Sequence, residues 1–313
     1  MYFYQNFYPE LKAIYSHTIY SSVNQLPEKW DELASSTVFL SKAYLEILEK
    51  AAPMNMHCHF IGIYKDRTLV GIAVSQFLDL NLLESFGERD QCIKSSVRNF
   101  LFKNFCSHIL LIGNNTLTGQ NAFAFSENTN KIEVVKTLQK AVIALKAIFK
   151  AKGKNVHMCG LKDFCTDELS QFEIPEFSPY LQFSTQPNMI FSVRNNWKTE
   201  EDYVTALSKK YRDQYKRARK KATGLVKKQL SLEEIIAQED TIYDLYHHVA
   251  KSAPFNTFFL PKNHFAVFKE QLKEKFLFYG YFENEYQNSD VVKDFKEIKD
   301  FAQAESIDRK SVV

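Results

Sequence analysis

The segment FLSKAYLEILEKAAPMNMHCHFIGIYKD, Phe39 to Asp66, is echoed much later in the chain by FLPKNHFAVFKEQLKEKFLFYGYFEN, Phe259 to Asn284. Each opens with Phe-Leu, one residue and Lys, runs through an amphipathic helix, and ends in a strand holding an aromatic residue, one residue and Gly. Phe39 lies 23 residues before Gly62 and Phe259 lies 21 before Gly280, so the two copies differ by two residues in the helix or its loop. A strand that repeats with its helix implies a duplicated α/β unit.

Outward from the first copy, PEKWDELA reads as a helix opened by Pro27, and LSKAYLEILEKAA as one capped by Ser41. MHCHFIGIY and TLVGIAVSQF read as two strands joined at KDR. SHILLIG is a further strand, followed by the polar loop NNTLTGQN and a short FAF run. Apolar residues at three and four residue spacing predict a helix from Ile132 to Lys150. NVHMCGL reads as a strand, and EFSPYLQFSTQPNMIFSV, Glu176 to Val193, is expected to supply one or two more.

The chain has 313 residues, 45% of them hydrophobic, enough for two ordinary cores. No apolar run approaches the roughly 20 residues of a membrane span, and MYFYQNFYPELK lacks the order of a signal peptide. A cytoplasmic protein with no membrane span is expected. Five cysteines without CxxC spacing fit reduced thiols. His57, Cys58 and His59 are the only local cluster of metal-ligand types, but strand alternation puts the cysteine on the opposite face from the histidines, so no metal is expected.

The net charge of +3 is located rather than spread. Lys209 to Lys228 holds ten Lys or Arg and one acid, Asp213, leaving 30 basic against 36 acidic residues elsewhere, a balance of −6. A polyanionic partner would meet the chain there. Tyr203, Leu207, Tyr211, Tyr215, Ala218 and Ala222 form an apolar stripe predicted to pack, with Gly224 as C-terminal cap. Lys209, Arg212, Lys216 and Arg219 are the candidate phosphate-binding residues, with Arg212 and Lys216 one turn apart as a clamp. A solvated charged face is the competing reading.

Two α/β copies with a basic helix introducing the second resemble the Fem-type ligases and related FemAB-like proteins of the GNAT superfamily. The resemblance is carried by LSKKYRDQYKRARKKATG, Leu207 to Gly224, and by Trp30 followed by FLSKAYLEILE up to Glu49, similar to a subgroup of peptidoglycan biosynthesis proteins. It covers about a third of the chain. It implies tandem GNAT-like (acyl-CoA N-acyltransferase) units, each with a mixed sheet whose fourth and fifth strands splay. It also implies transfer from an acyl-CoA or aminoacyl-tRNA donor to an amine-bearing acceptor such as a cell-wall precursor. No cofactor is then held permanently, acyl-CoA being a co-substrate. Splayed strands would offer free N–H groups to a carbonyl oxygen.

The donor's pyrophosphate would meet the loop Gly113 to Asn130, with Gly119 and Gln120 as candidate contacts, although the glycine-rich pattern of such loops is missing. The first copy is therefore read as a structural or acceptor-binding half, an ordinary connecting loop being the competing reading. In the predicted helix DTIYDLYHHVAKS, Tyr243 and His247 stand one turn apart as candidate catalytic residues. In a GNAT-like site a carboxylate, a histidine or water would take the amine proton and a tyrosine would return one to the leaving group, a packing or surface histidine being the competing reading.

These readings divide the chain into a first unit, 1–187, the N-terminal part of a second, 188–285, with its basic helix at 200–224, and a tail, 286–313. The second copy lacks a strand like TLVGIAVSQF and stops 33 residues past Gly280, so about 90 residues are expected to be missing. The final DRKSVV translates GATCGGAAGAGCGTCGTG, a stretch of a common sequencing adapter, and Tyr286 to Ser306 are native or frame-shifted. The fragment is expected to be inactive as written. A tRNA or other nucleic-acid binding protein, stacking bases on Tyr211 and Tyr215, is the alternative, and a catalytically silent scaffold is a third.

Overall fold

The computed structural model describes residues 13–82, 107–117, 119, 121–164, 166–184, 191–253 and 256–283. They divide into two compact units, one formed by the chain up to Phe183 together with Ser231–Phe276, the other by Ser184–Leu230 and the chain from Leu277.

The first unit is built on a six-stranded mixed sheet. Strand β1, Tyr15–Tyr20, pairs antiparallel with β2, Met56–Lys65, which pairs antiparallel with β3, Thr68–Asp79. The β2–β3 turn is two residues, Asp66 and Arg67, both at positive φ (46° and 70°), the twist a tight hairpin requires. Long β3 carries two short partners on one edge: β4, His108–Ile112, along Ser75–Asp79, and β5, Phe123–Phe125, along Gly71–Ala73. Between them residues 113–122 leave the sheet and return at Val74, whose carbonyl accepts from Gly113 and whose N–H donates to Ala122. Helix α3, Lys131–Ala151, then carries the chain to β6, Met158–Leu161, parallel to β4 over four residue pairs.

Alternation along β2 and β3 sorts the core into two layers. Helix α3, Lys131–Ala151, lays Val134, Leu138, Val142, Leu145 and Phe149 on the face carrying Ile61, Ile63, Ala73 and Phe77. The opposite face, with Phe60, Ile72 and Val74, is covered by α1, Trp30–Leu33, and α2, Lys42–Lys50. Trp30 and Tyr44 are fully buried there, and Trp30 Nε1 donates to the Leu40 carbonyl at 2.8 Å. Ser41 caps α2 as its sequence predicts, accepting from the Tyr44 N–H.

Helices α6, Leu232–Ala237, α7, Glu239–Ser252, and α8, His264–Leu272, belong to this unit as well. Leu272, Val267 and Phe268 of α8 join the cluster of Tyr44 and Leu45. The helices of the two echoing sequences therefore pack on one another, a relationship that spacing alone does not disclose.

The second unit contains α4, Glu200–Ala206, α5, Lys209–Lys221, and an antiparallel pair, β7, Leu225–Gln229, with β8, Tyr279–Glu283. Neither face of that pair is buried.

The two echoing segments share three local features. Gly62 lies opposite Thr18, the fourth residue of β1, and Gly280 opposite Lys228, the fourth residue of β7. In each, the aromatic side chain two residues on covers the glycine: a Cβ at Gly62 would meet the Tyr64 ring at 3.1 Å, and one at Gly280 the Phe282 ring at 2.6 Å. In each, a serine two residues past the first strand, Ser22 or Ser231, opens the next helical turn with a reciprocal capping box.

Two expectations are corrected. Residues 176–184 and 191–193 form no strand: Pro175 opens a 3-10 turn over Pro175–Phe177, and Leu181 and Phe183 are 90% and 81% exposed, so their side chains find no packing surface. The stripe on α5 does not pack as predicted. No residue of that helix is buried, and Tyr211, Ala218 and Ala222 are exposed, while Tyr203, Leu207 and Tyr215 are half-buried.

Candidate functional site

The loop after β4 is held by polar groups from inside the fold. Gln76, fully buried on β3, donates from Nε2 to Asn114 Oδ1 at 3.2 Å and accepts from the Asn115 N–H at 2.6 Å. Asn114 donates to the Tyr44 hydroxyl at 2.7 Å and accepts from both the N–H and the hydroxyl of Thr116. Burial pushes the Tyr44 phenol pKa above its usual value, so it remains a neutral partner here. Asn115 Nδ2 reaches the Thr257 hydroxyl at 3.0 Å, and Asn55 Nδ2 the Thr257 carbonyl at 2.9 Å.

Four of the loop's described amides are consequently in use. Gly113 donates to Val74, Asn115 to Gln76, Thr116 to the Asn114 side chain and Leu117 to the Asn114 carbonyl. A pyrophosphate cradle needs such groups turned outward. Helix α3 is likewise capped, Asn130 Oδ1 accepting from Ile132 and Glu133 at 3.1 and 3.3 Å, with the Glu133 carboxylate in the first turn. Gly119 sits at φ 86° with its carbonyl accepting from Asn121; Gln120 lies outside the described residues.

Beyond Ile112 and Leu161 the parallel strands β4 and β6 no longer pair, and the Lys162 ammonium occupies the gap. It donates to the carbonyls of Asn114 and Leu117 at 3.0 and 2.9 Å and to the Asp163 carboxylate. Gly113, at φ 135°, has the Lys162 stem where a Cβ would stand, 2.8 Å from its Cγ. The sequence gives little warning of Lys162, since no motif marks it; its role comes from its position one residue past β6.

Tyr243 and His247 are brought together on α7 with their rings stacked, centroids 5.3 Å apart, and His247 packs edge-on to Phe259 at 5.2 Å. Tyr246 on the same helix accepts from the Leu260 N–H. The three rings brace α7 against the segment leading to α8. His57 and His59 share the face toward α3, beside Phe77 and Phe149 respectively, while Cys58 points to the other layer. Burial pushes the Cys58 thiol up to about 12, which makes it an inert packing group.

The four candidate phosphate residues share one side of α5, falling within an arc of about 80° at 100° per residue. Arg212 is engaged: its Nη1 donates to the carbonyls of Thr205 and Leu207 at 3.1 and 2.7 Å, closing the corner between α4 and α5. Lys209, Lys216 and Arg219 are exposed and form no ion pair among the described residues. Tyr215 donates to the Glu200 carboxylate, which raises the phenol pKa. The helix presents about 20 Å of basic surface, and Lys227 and Lys228 follow on β7.

No helix among the described residues is long and apolar enough to cross a membrane. No family model, curated protein or solved structure matches the chain.

Proposed function

We propose that the chain is an N-acyltransferase of the FemAB-like kind, composed of tandem GNAT-like units. In this reading the first unit is a structural half, and α5 meets the phosphates of an aminoacyl-tRNA donor or a nucleotide-linked amine acceptor. The observation that carries the proposal is the repeated strand–helix–strand element, with a glycine in the same register and an aromatic ring over it in each copy. A chance echo of helix and strand has no reason to reproduce the register. The closed loop after β4 supports assigning donor binding away from the first unit.

Binding of the full chain to coenzyme A and to charged tRNA, each measured at two salt concentrations, tests the proposal. Affinity for charged tRNA that falls steeply with salt and exceeds the affinity for uncharged tRNA is the expected result. Equal affinity for charged, uncharged and unrelated RNA favours the second reading, a nucleic-acid binding protein, for which the uncovered basic face of α5 speaks.

A further inference from the structure

The second unit contains an open cavity of about 280 Å³, bounded by Phe191, Val193, Trp197, Lys198, Glu200 and Tyr203. The Phe191 and Trp197 rings are nearly parallel, 23° apart with centroids at 5.9 Å, and Tyr203 stands across both at 83° and 68°. The rings touch one another, so no ligand fits between them; the usable surface lies on top. Phe191 and Val193 are 64% and 70% exposed, an apolar floor left open to water.

The surroundings of that floor are polar and specific. The Arg194 guanidinium lies 5.0 Å from the Trp197 ring centre, and Lys198 edges the cavity. Glu200 lines the wall and accepts from Tyr215 of α5, and Arg219, one turn further on, lies near enough to act on that phenol. Asp202 is spent on the Lys198 and Thr199 amides. The aromatic floor is thus joined through Glu200 and Tyr215 to the basic face of α5.

We infer that this cavity receives a nucleobase carrying an exocyclic amine, stacked on Phe191, with the amine toward Glu200 and its phosphates toward Arg194 and α5. A volume just under the usual range of ligand sites suits a single base rather than a larger ligand. Aromatic floors accept any base by its π-face, and a carboxylate on the wall selects rings that donate. The inference rests on the reading of α5 as a phosphate-facing helix and adds to it the part of the ligand that is recognised.

Trp197 provides the readout, because the other tryptophan, Trp30, is fully buried. The full chain is titrated with ADP, UDP, coenzyme A and short oligo(rA) while indole emission is followed. Saturable quenching by an adenine ligand below about 1 mM, at least threefold weaker for UDP and roughly tenfold weaker in Phe191→Ala, is the expected result. Response to ADP identifies a free nucleotide, response to coenzyme A alone identifies the coenzyme, and response to oligo(rA) alone identifies a strand base. The inference is overturned if none of the ligands quenches saturably, or if Phe191→Ala and Glu200→Gln bind as the parent does. RNA binding that is lost in Lys216→Ala/Arg219→Ala yet untouched by Phe191→Ala overturns the base pocket and leaves the phosphate-facing helix standing. Loss of RNA binding in neither variant removes both.

Discussion

The Lys162 ammonium holds the carbonyl of Asn114 at 3.0 Å and so ties the residue after β6 to the loop that follows β4. Replacing Lys162 with Met keeps most of the stem beside Gly113, but leaves the Leu117 carbonyl without its donor and the Asn114 carbonyl with only the long 3.4 Å bond from the Leu117 N–H. Each half-buried acceptor so stranded costs roughly 1 kcal/mol, with water making good part of the loss. A destabilisation of about 1–2 kcal/mol in urea unfolding is expected, with no gain of coenzyme A affinity, because the loop amides remain bound to Gln76 and Asn114. Tight coenzyme A binding by Lys162→Met would show instead that the lysine alone had been keeping a donor site shut.

His59 and His264 set a pH dependence. Burial lowers both to about 4, with the nearby Lys152 adding to the effect at His59 and the Ala51 carbonyl opposing it at His264. The unfolded chain takes up these protons near the ordinary value of 6.5, whereas the folded chain resists until about 4. Between those limits the unfolded state binds more protons, so stability rises with pH across the window and is lost as pH falls through it. With allowance for partial solvent screening, each histidine accounts for on the order of 1–2 kcal/mol between pH 7.5 and 4.5. Urea midpoints across that range should fall less steeply in His59→Leu/His264→Leu than in the parent; parallel slopes would mean that carboxylates alone govern the acid limb.

The sequence discloses the elements whose pattern is local and conceals those fixed by distant partners. Helix α3, the hairpin of β2 and β3, and the Ser41 cap are legible because periodicity and a capping side chain lie within one segment. Strand β1 goes unread, since YSHTIY becomes a strand only by lying on β2. Residues 176–184 and 191–193 mislead in the opposite direction: their apolar and aromatic residues have strand character, but Pro175 opens a 3-10 turn, Pro179 lacks a backbone donor, and Leu181 and Phe183 stay exposed. At the candidate site the basic face of α5 is legible from charge alone. That Arg212 belongs to the α4–α5 corner is not, because its acceptors are backbone carbonyls that no sequence pattern marks.

The glycine under an aromatic ring offers a test of the two copies against each other. Gly62→Ala pushes a methyl against Tyr20, Tyr64 and Leu69 at 3.1–3.2 Å, and Gly280→Ala pushes one against Phe282 at 2.6 Å. Overpacking of this kind costs roughly 1–3 kcal/mol. Pairing each with removal of its covering ring, Tyr64→Leu or Phe282→Leu, should recover part of that loss, and double-mutant cycles from urea unfolding would measure it. Coupling in both copies is expected if the ring-over-glycine contact is what the register preserves.

Charge on α5 separates residues that hold the helix from residues that face outward. Arg212→Ala removes the donor shared by Thr205 and Leu207 and should lower helical content along with any polyanion affinity. Lys209→Ala, Lys216→Ala and Arg219→Ala touch no such partner and should leave the circular dichroism spectrum unchanged. If α5 lies on phosphates, each of these three reduces the slope of log affinity against log salt by about 1. Slopes that stay at the parent value, with affinity intact, would make the basic face a solvated surface and move the search for the anion contact to Lys227 and Lys228 on the adjoining strand.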